Sequence, residues 1–385
     1  EVCRDAKNVS GVGFDATCSL VVLDDSGRPL TISPKGEPEH NVLLWMDHRA
    51  VSQAEAINAT GHSVLRFIGG SMSPEMQPPK LLWIKQNIPS TWECIGLAMD
   101  LSDFLTWRAT GCASRSLCAA VCKWTYQACT VPGSDKKHGW QDSIWTRIGL
   151  DEITRDDYRI IGLLGCEADG KFPEEFSRRL AIIAGTSAAH MLASEKCIFS
   201  PGAPGPFLSV MVPGMWLSEP GQSAAGALVD HIISTHPAYP QIVAKTKPGR
   251  RPEDTLNDLL QSMSDRQGLD SLSRLTTDLH VWPDFHGNRS PLADPTLRGM
   301  VSGLTLTSDE EDLARLYLAT LQALAYGSRH IIDALTDAGH LLSGILTCGG
   351  LAKNPLYVRS LADATGLLQA SLLQTFNNGR CHLEV

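Results

Sequence analysis

Two short stretches of this 385-residue chain run from a strand-sized apolar segment straight into small residues. One is Ile182-Ile183-Ala184-Gly185-Thr186-Ser187. The other is Leu346-Thr347-Cys348-Gly349-Gly350-Leu351-Ala352-Lys353-Asn354-Pro355. Glycine lets a backbone approach a ligand closely, and the N–H groups of such a turn can form a concave anion site. A helix beginning just beyond would add its positive end. Neither stretch has the spacing of a Walker A loop or of G-x-G-x-x-G, which excludes the two best-known phosphate loops. Ordinary turn glycines would explain either one alone. Two in one chain point to a nucleotide held between elements.

Other segments offer side-chain chemistry. Asp15-Ala16-Thr17 closes an apolar run, where polar groups can be held rigidly at a sheet edge or can simply cap a turn. Trp45-Met46-Asp47-His48-Arg49 brings an acid, an imidazole and a guanidinium together, with Asp47 equally readable as the N-cap of the next helix. Lys123, beside Trp124, is a cation in a Cys/Ala-rich stretch, either snorkelling or held for an anion or hydroxyl. Glu219, in Glu219-Pro220-Gly221-Gln222-Ser223, places an acid at a helix entrance, again readable as a cap. His280 and His286 could bind a metal, although a polar surface loop explains them as well. Cys118 and Cys122 have no matching pair to complete a zinc site.

The elements that must position these groups read as α/β. Leu20-Val21-Val22-Leu23 is a strand closed by the turn Asp24-Asp25-Ser26-Gly27. A helix is expected from about Asp47 to Asn58, and a short amphipathic one over Lys80–Lys85 after Pro78-Pro79. Residues 130–142 read as a polar loop. The composition changes at 165–170, so a domain boundary is placed near residue 165, giving domains 1–165 and 166–385. Leu180–Ala184 reads as a central strand. Helical periodicity follows at Gln222–Thr235, Pro252–Met263 and Asp309–Ala338, the last carrying Leu313, Leu316, Tyr317, Leu321, Leu324 and Ile331 on one face. Strand Ile345–Cys348 then leads into the second glycine pair. Strands alternating with long helices define the class.

Composition narrows the function. A net charge of −9 and the lack of a Lys/Arg run give no surface for tracking nucleic acid. No apolar stretch approaches the roughly 20 residues of a membrane helix. Glu1–Asp5 shows no basic segment followed by an apolar one, so no secretory leader is expected. The 11 cysteines are odd in number and follow no framework spacing, which favours reduced thiols and a cytoplasmic location.

Taken in order, these segments resemble the FGGY carbohydrate kinases, particularly the ribulokinase-like branch. Gly11–Val21 is similar to a strand and loop lining the sugar pocket. Trp45–Ala50 is similar to a W-x-D-x-R stretch, and Cys122-Lys123-Trp124 to the place of a sugar-contacting lysine. Gly185-Thr186-Ser187 resembles a phosphate-contacting segment, and Glu219 with Gly221-Gln222-Ser223 the strip that follows it. Gly299–Leu304 loosely fits the C-terminal family signature, and Gly349–Pro355 looks like the adenosine motif.

The resemblance implies a two-domain actin-like ATPase fold with ribonuclease H-like cores, the first domain incomplete. It implies ATP and Mg²⁺ as cofactors, a small sugar as partner, neither nucleic acid nor membrane, and a homodimer as the assembly to look for. The reaction implied is phosphorylation of a ketopentose such as ribulose at its terminal hydroxyl, with a carboxylate base accepting the proton. Sugar contacts carry over to Asp15, Thr17, Lys123 and Glu219. Nucleotide contacts carry over to Gly185, Thr186, Ser187, Gly349, Gly350 and Asn354.

Three departures accompany the likeness. The D-x-G-T-x-S-x-R hairpin expected at the start of such kinases is not found from Glu1 onward. Leu164–Gly170 lacks the D-A-H-A-G-G segment that carries the base, and Asp169, the nearest acid, sits in a turn-like Asp-Gly-Lys setting and is not assigned that role. The tail 367–385 does not follow the family's closing strand and helix. A truncated product, impaired in turnover and keeping only a binding scaffold, is the alternative these departures raise.

Overall fold

The structure, a computed structural model, describes residues 16–112, 114–128, 139–162, 178–212, 214–367, 369–371, 373–377 and 380–384. It divides into two compact units. One comprises Glu1–Gly170 with Phe207–Pro213, and the other Lys171–Pro206 with Gly214–Val385. The boundary expected near residue 165 falls outside the described residues, as does Asp15.

The first unit is organised around β1 (Leu20–Leu23), which pairs antiparallel with β2 (Val42–Leu43) and β3 (Leu97–Asp100). All four residues of β1 are buried because the sheet is covered on both sides. Side chains alternate across a strand. Accordingly Leu20 and Val22 join a large apolar cluster with Leu43, Ile57, Leu81, Ile84 and Trp145, while Val21 and Leu23 face Met99, Phe104 and Trp107. The helices are α1 (Val51–Ala59), α2 (Gln77–Asn87), α3 (Pro89–Trp92), α4 (Leu101–Thr110), α5 (Leu117–Trp124) and α6 (Asp142–Arg147). Pro78 and Pro79 fall in the first turn of α2, where a missing N–H costs nothing.

Asp47 is not a helix cap. Helix α1 starts later, at Val51, with Ala50 in the cap position. The Asp47 carboxylate instead accepts from the Arg49 backbone N–H (2.9 Å) and grips the Arg49 guanidinium (2.7 Å), an Asx-type turn stiffened by an ion pair. Lys80 also departs from the amphipathic reading of its helix: it is wholly buried.

The second unit holds a mixed sheet. β4 (Arg179–Ala184) and β5 (Ala188–Ser194) form an antiparallel hairpin. The short strand β6 (Phe207–Leu208) is counted with the first unit. β7 (Trp216–Ser218) and β8 (Gly221–Gln222) both pair with β5. β9 (His280–Trp282) and β10 (Met300–Ser302) make a separate exposed ribbon. β11 (Gly344–Cys348) lies parallel to β4 on one side and to β12 (Gln369–Ser371) on the other. The helices of the unit are α7 (Gly226–Thr235), α8 (Tyr239–Lys245), α9 (Pro252–Gln267), α10 (Glu310–Asp337) and α11 (Pro355–Thr365), and a two-stranded antiparallel ribbon, Leu373–Asn377 with Arg380–Glu384, follows them. Helix α10 runs 28 residues, with Asp309 capping it by accepting from Asp312 N–H (2.9 Å), and buries Leu313, Tyr317, Leu321, Leu324 and Ile331 in the unit's core.

Candidate active site

The two glycine turns lie side by side. β4 and β11 are adjacent parallel strands in register from Gly344↔Arg179 to Cys348↔Ile183, so Gly185–Ser187 and Gly349–Gly350 leave the same end of the sheet. Ligands of open α/β sheets bind outside the carboxyl ends of such strands. Gly349 has φ +95°, and a Cβ there would sit 2.5 Å from Ala184 O, so only glycine lets the turns approach this closely. At Gly350 a Cβ would meet nothing within 4 Å, and at Gly185 only Ser187 O at 3.9 Å. That open ground beside exposed backbone is the shape a polyphosphate needs.

The helix ends near these turns are not the open anion sites the sequence suggested. Gly185–Ser187 is a hairpin turn into β5, not a strand-to-helix turn. The helix that abuts it is α7, and the N–H groups of Ala225, Gly226 and Ala227 are taken by Thr186 O (2.8 Å), Gly185 O (2.8 Å) and Thr186 O (3.2 Å). After Gly350 a 3₁₀ turn, Leu351–Lys353, intervenes before α11. Asn354 is buried and accepts from Leu356 N–H (3.1 Å) as the cap of α11, while its Nδ2 donates to Tyr317 Oη (2.6 Å). Tyr317 Oη in turn donates to Asn257 Oδ1 (3.1 Å). Asn354 is thereby an internal anchor of the loop. Gln222 lies partly buried and donates to Leu324 O of α10 (2.9 Å). The half-buried Glu219 is held by its own N–H on Pro204 O (2.9 Å).

In the first unit, Thr17 is exposed and hydrogen-bonded to Ser19 Oγ (3.0 Å), which accepts from Trp45 N–H (3.1 Å). Lys123 is half-buried in the last turn of α5. Between these segments lie four residues, Glu75, Gln77, Lys80 and Asp100, that the sequence does not single out for chemistry. Gln77 Nε2 donates to Cys18 O (3.0 Å) and to Asp100 Oδ1 (2.6 Å), and the Trp124 indole donates to the same Asp100 oxygen (3.1 Å). Lys80 Nζ donates to Leu44 O (2.9 Å) and Trp45 O (3.2 Å). His48 meets Glu75 at 3.0 Å. Burial, then the neighbouring Asp103, pushes the Asp100 carboxyl up to about 6, against the opposing pull of Lys123 and its two donors. Burial and the charge of Lys123 bring Lys80 down to about 8. The available signals were a polar residue directly after Leu97-Ala98-Met99 and a lysine flanked by Pro-Pro and Leu-Leu.

The metal reading of the histidines fares less well at His280, which lies exposed in β9 opposite Ser302. Cys118 is exposed and Cys122 buried on α5.

Residues 180–379 match the model of the FGGY family of carbohydrate kinases, C-terminal domain. A Danio rerio protein called FGGY carbohydrate kinase domain-containing protein is 47% identical, over 94% of this chain and 74% of its own length. This chain belongs to the FGGY family of carbohydrate kinases. A D-ribulokinase of Saccharomyces cerevisiae is 33% identical across 94% of this FGGY kinase chain and 59% of the yeast protein. A ligand-bound xylulose kinase from Lactobacillus acidophilus superposes with a TM-score of 0.64 at 17% identity, over 92% of this chain and 70% of that one, and supports the actin-like ATPase fold. The match through residue 379 carries the family likeness beyond Gly366, where the sequence reading ended it; β12 there extends the sheet beside β11, a strand too short to stand out by pattern. Among the described residues no helix is long and apolar enough to cross a membrane.

Proposed function

We propose that this FGGY kinase transfers the γ-phosphoryl group of ATP to the terminal hydroxyl of a ketopentose of the ribulose type. The observation that carries the reading is the pair of glycine turns at the carboxyl ends of the adjacent parallel strands β4 and β11. The choice of ketopentose leans on the likeness to the yeast D-ribulokinase. Gly185, Thr186, Ser187, Gly349 and Gly350 would cradle the phosphates, and the loop anchored by Asn354 would flank the nucleoside. Bound ATP with its Mg²⁺ supplies the transferable phosphoryl group and neutralises charge as it develops. Asp15, Thr17, Lys123 and Glu219 are assigned to the sugar, with Lys123 as the cation for its hydroxyl groups. An ADP-release assay with D-ribulose, L-ribulose, D-xylulose and glycerol tests the reading. Preferred turnover of a ribulose is expected, and no turnover of any ketose or polyol removes it.

A second reading, a sugar-binding scaffold with impaired catalysis, is favoured by the lack of a D-A-H-A-G-G segment in Leu164–Gly170. A melting shift on adding ribulose without ADP release would select it.

A further inference from the structure

Asp100 occupies the N-cap position of α4 without capping it: no backbone N–H of that helix reaches its side chain. An aspartate in that position ordinarily accepts from the second or third helical N–H. Here one carboxylate oxygen receives both Gln77 Nε2 (2.6 Å) and Trp124 Nε1 (3.1 Å), and the other oxygen is buried without a donor among the described residues. Gln77 uses the same amide nitrogen to hold Cys18 O at 3.0 Å. Cys18 directly follows Thr17, and Trp124 directly follows Lys123. A burial-intolerant carboxylate has thus been turned away from a stabilising cap and toward two segments that carry proposed sugar contacts. We infer that Asp100, acting with Gln77, is a positioning residue that couples the Thr17 segment to the helix bearing Lys123, so that the two present their side chains in fixed relation.

The inference rests on the sugar assignment above, yet its structural half stands apart from turnover. If this oxygen holds Trp124 directly and fixes the Gln77 amide that holds Cys18 O, removing it loosens both segments at once. Asparagine keeps an oxygen able to accept from Gln77 and Trp124, whereas alanine does not. The experiment is hydrogen–deuterium exchange on the full chain for wild type, Asp100→Ala and Asp100→Asn, followed by kinetics with ribulose and ATP. In Asp100→Ala, exchange is expected to rise at least tenfold in peptides covering both 16–23 and 117–125, with peptides of 344–354 unchanged. Asp100→Asn is expected to return both first-unit peptides to within threefold of wild type. Loosening of only one segment, or an Asn variant as loose as the Ala variant, overturns the coupling.

The kinetic arm separates this inference from the functional one. Asp100→Ala is expected to raise the KM for ribulose 10- to 100-fold with the KM for ATP within twofold, and Asp100→Asn to restore the ribulose KM. Equal shifts in both KM values overturn the positioning role. A wild type that turns over no ketose sinks the proposed function, while the exchange data still decide whether Asp100 couples the segments.

Discussion

In the first unit, Lys80, Asp100 and Lys123 influence one another's charge within a buried neighbourhood. In the second, the ground around the glycine turns is backbone, and the polar groups behind it are neutral: the buried Asn354, Tyr317 and His190 and the half-buried Asn257. His190 lies in β5, wholly buried, with Nδ1 donating to Ala188 O (3.3 Å) and Nε2 facing Ser328 Oγ (3.0 Å). Burial first, and the charge of Arg289 in addition, hold its acid form down to about 4. The contrast fits two tasks. A region that recognises hydroxyls benefits from ionised side chains of set direction, while one that accepts a polyphosphate needs amide N–H groups and close backbone approach. The two regions should therefore fail in different ways.

The largest effect is expected where backbone geometry is strictest. Gly349→Ala imposes a side chain on a φ of +95° and drives its Cβ into Ala184 O, so β4 and β11 must part. A cost of about 3–5 kcal/mol to the second unit is expected, from strain and overpacking together. Calorimetric melting and ATP titration would show it, with ATP affinity down at least 100-fold. Gly350→Ala is the sharper probe. Gly350 has φ −63° and open space where its Cβ would point, so the fold should be untouched. If that space holds phosphate, ATP affinity still falls, by about tenfold; unchanged affinity in a folded Gly350→Ala would move the nucleotide away from this turn.

The next effect is a divergence with pH, because the two buried groups have opposite signs. His190 is neutral when folded and has its ordinary value of 6.5 when unfolded, so the unfolded chain binds the proton first and stability falls from pH 6.5 toward 4. Asp100 has a folded value of about 6 against 3.8, so the folded chain binds the proton first and stability rises as pH falls from 6 toward 3.8. Between pH 7 and pH 5 the second unit is expected to lose about 2 kcal/mol and the first to gain about 1 kcal/mol, at 1.36 kcal/mol per pKa unit. Half-buried surface carboxylates held below their ordinary values, such as Asp24 and Glu37, have little effect until the pH is lower still. Exchange protection in the cores of the two units, read at both pH values, checks this. Parallel movement of the units would break the comparison, and Asp100→Asn should remove the gain in the first unit alone.

Much of the second unit was legible because its signals are local. The apolar stripe of α10 lies within one helix, and the glycine pairs directly follow their strands. That the pairs are neighbours was not legible, since it depends on β4 and β11 pairing across more than 150 residues of intervening chain. The first unit's organisers were harder to see for a further reason. Gln77, Lys80 and Asp100 sit at positions where an exposed helix turn or an ordinary cap predicts the same residue types, and only tertiary packing turns them inward. Asp47 erred the other way. A carboxylate just ahead of a helix satisfied the cap pattern, but Arg49, two residues on, offered a charge-assisted partner that won.

The smallest effect falls on the link between the two kinds of construction in the second unit. Tyr317 Oη takes a hydrogen from Asn354 and gives one to Asn257, tying the loop after Gly350 to α9 and α10. Tyr317→Phe keeps the ring in its buried place and removes only that hydroxyl, leaving Asn354 Nδ2 and Asn257 Oδ1 without this partner. A cost of about 1–2 kcal/mol is expected for orphaned buried groups. Because Asn354 Oδ1 still caps α11, the loop should loosen rather than detach. The expected result is a three- to tenfold weaker ATP affinity with ribulose affinity unchanged. An effect on ribulose alone would show that the loop serves the sugar, and would dissolve the division between an ionised sugar side and a backbone-built nucleotide side.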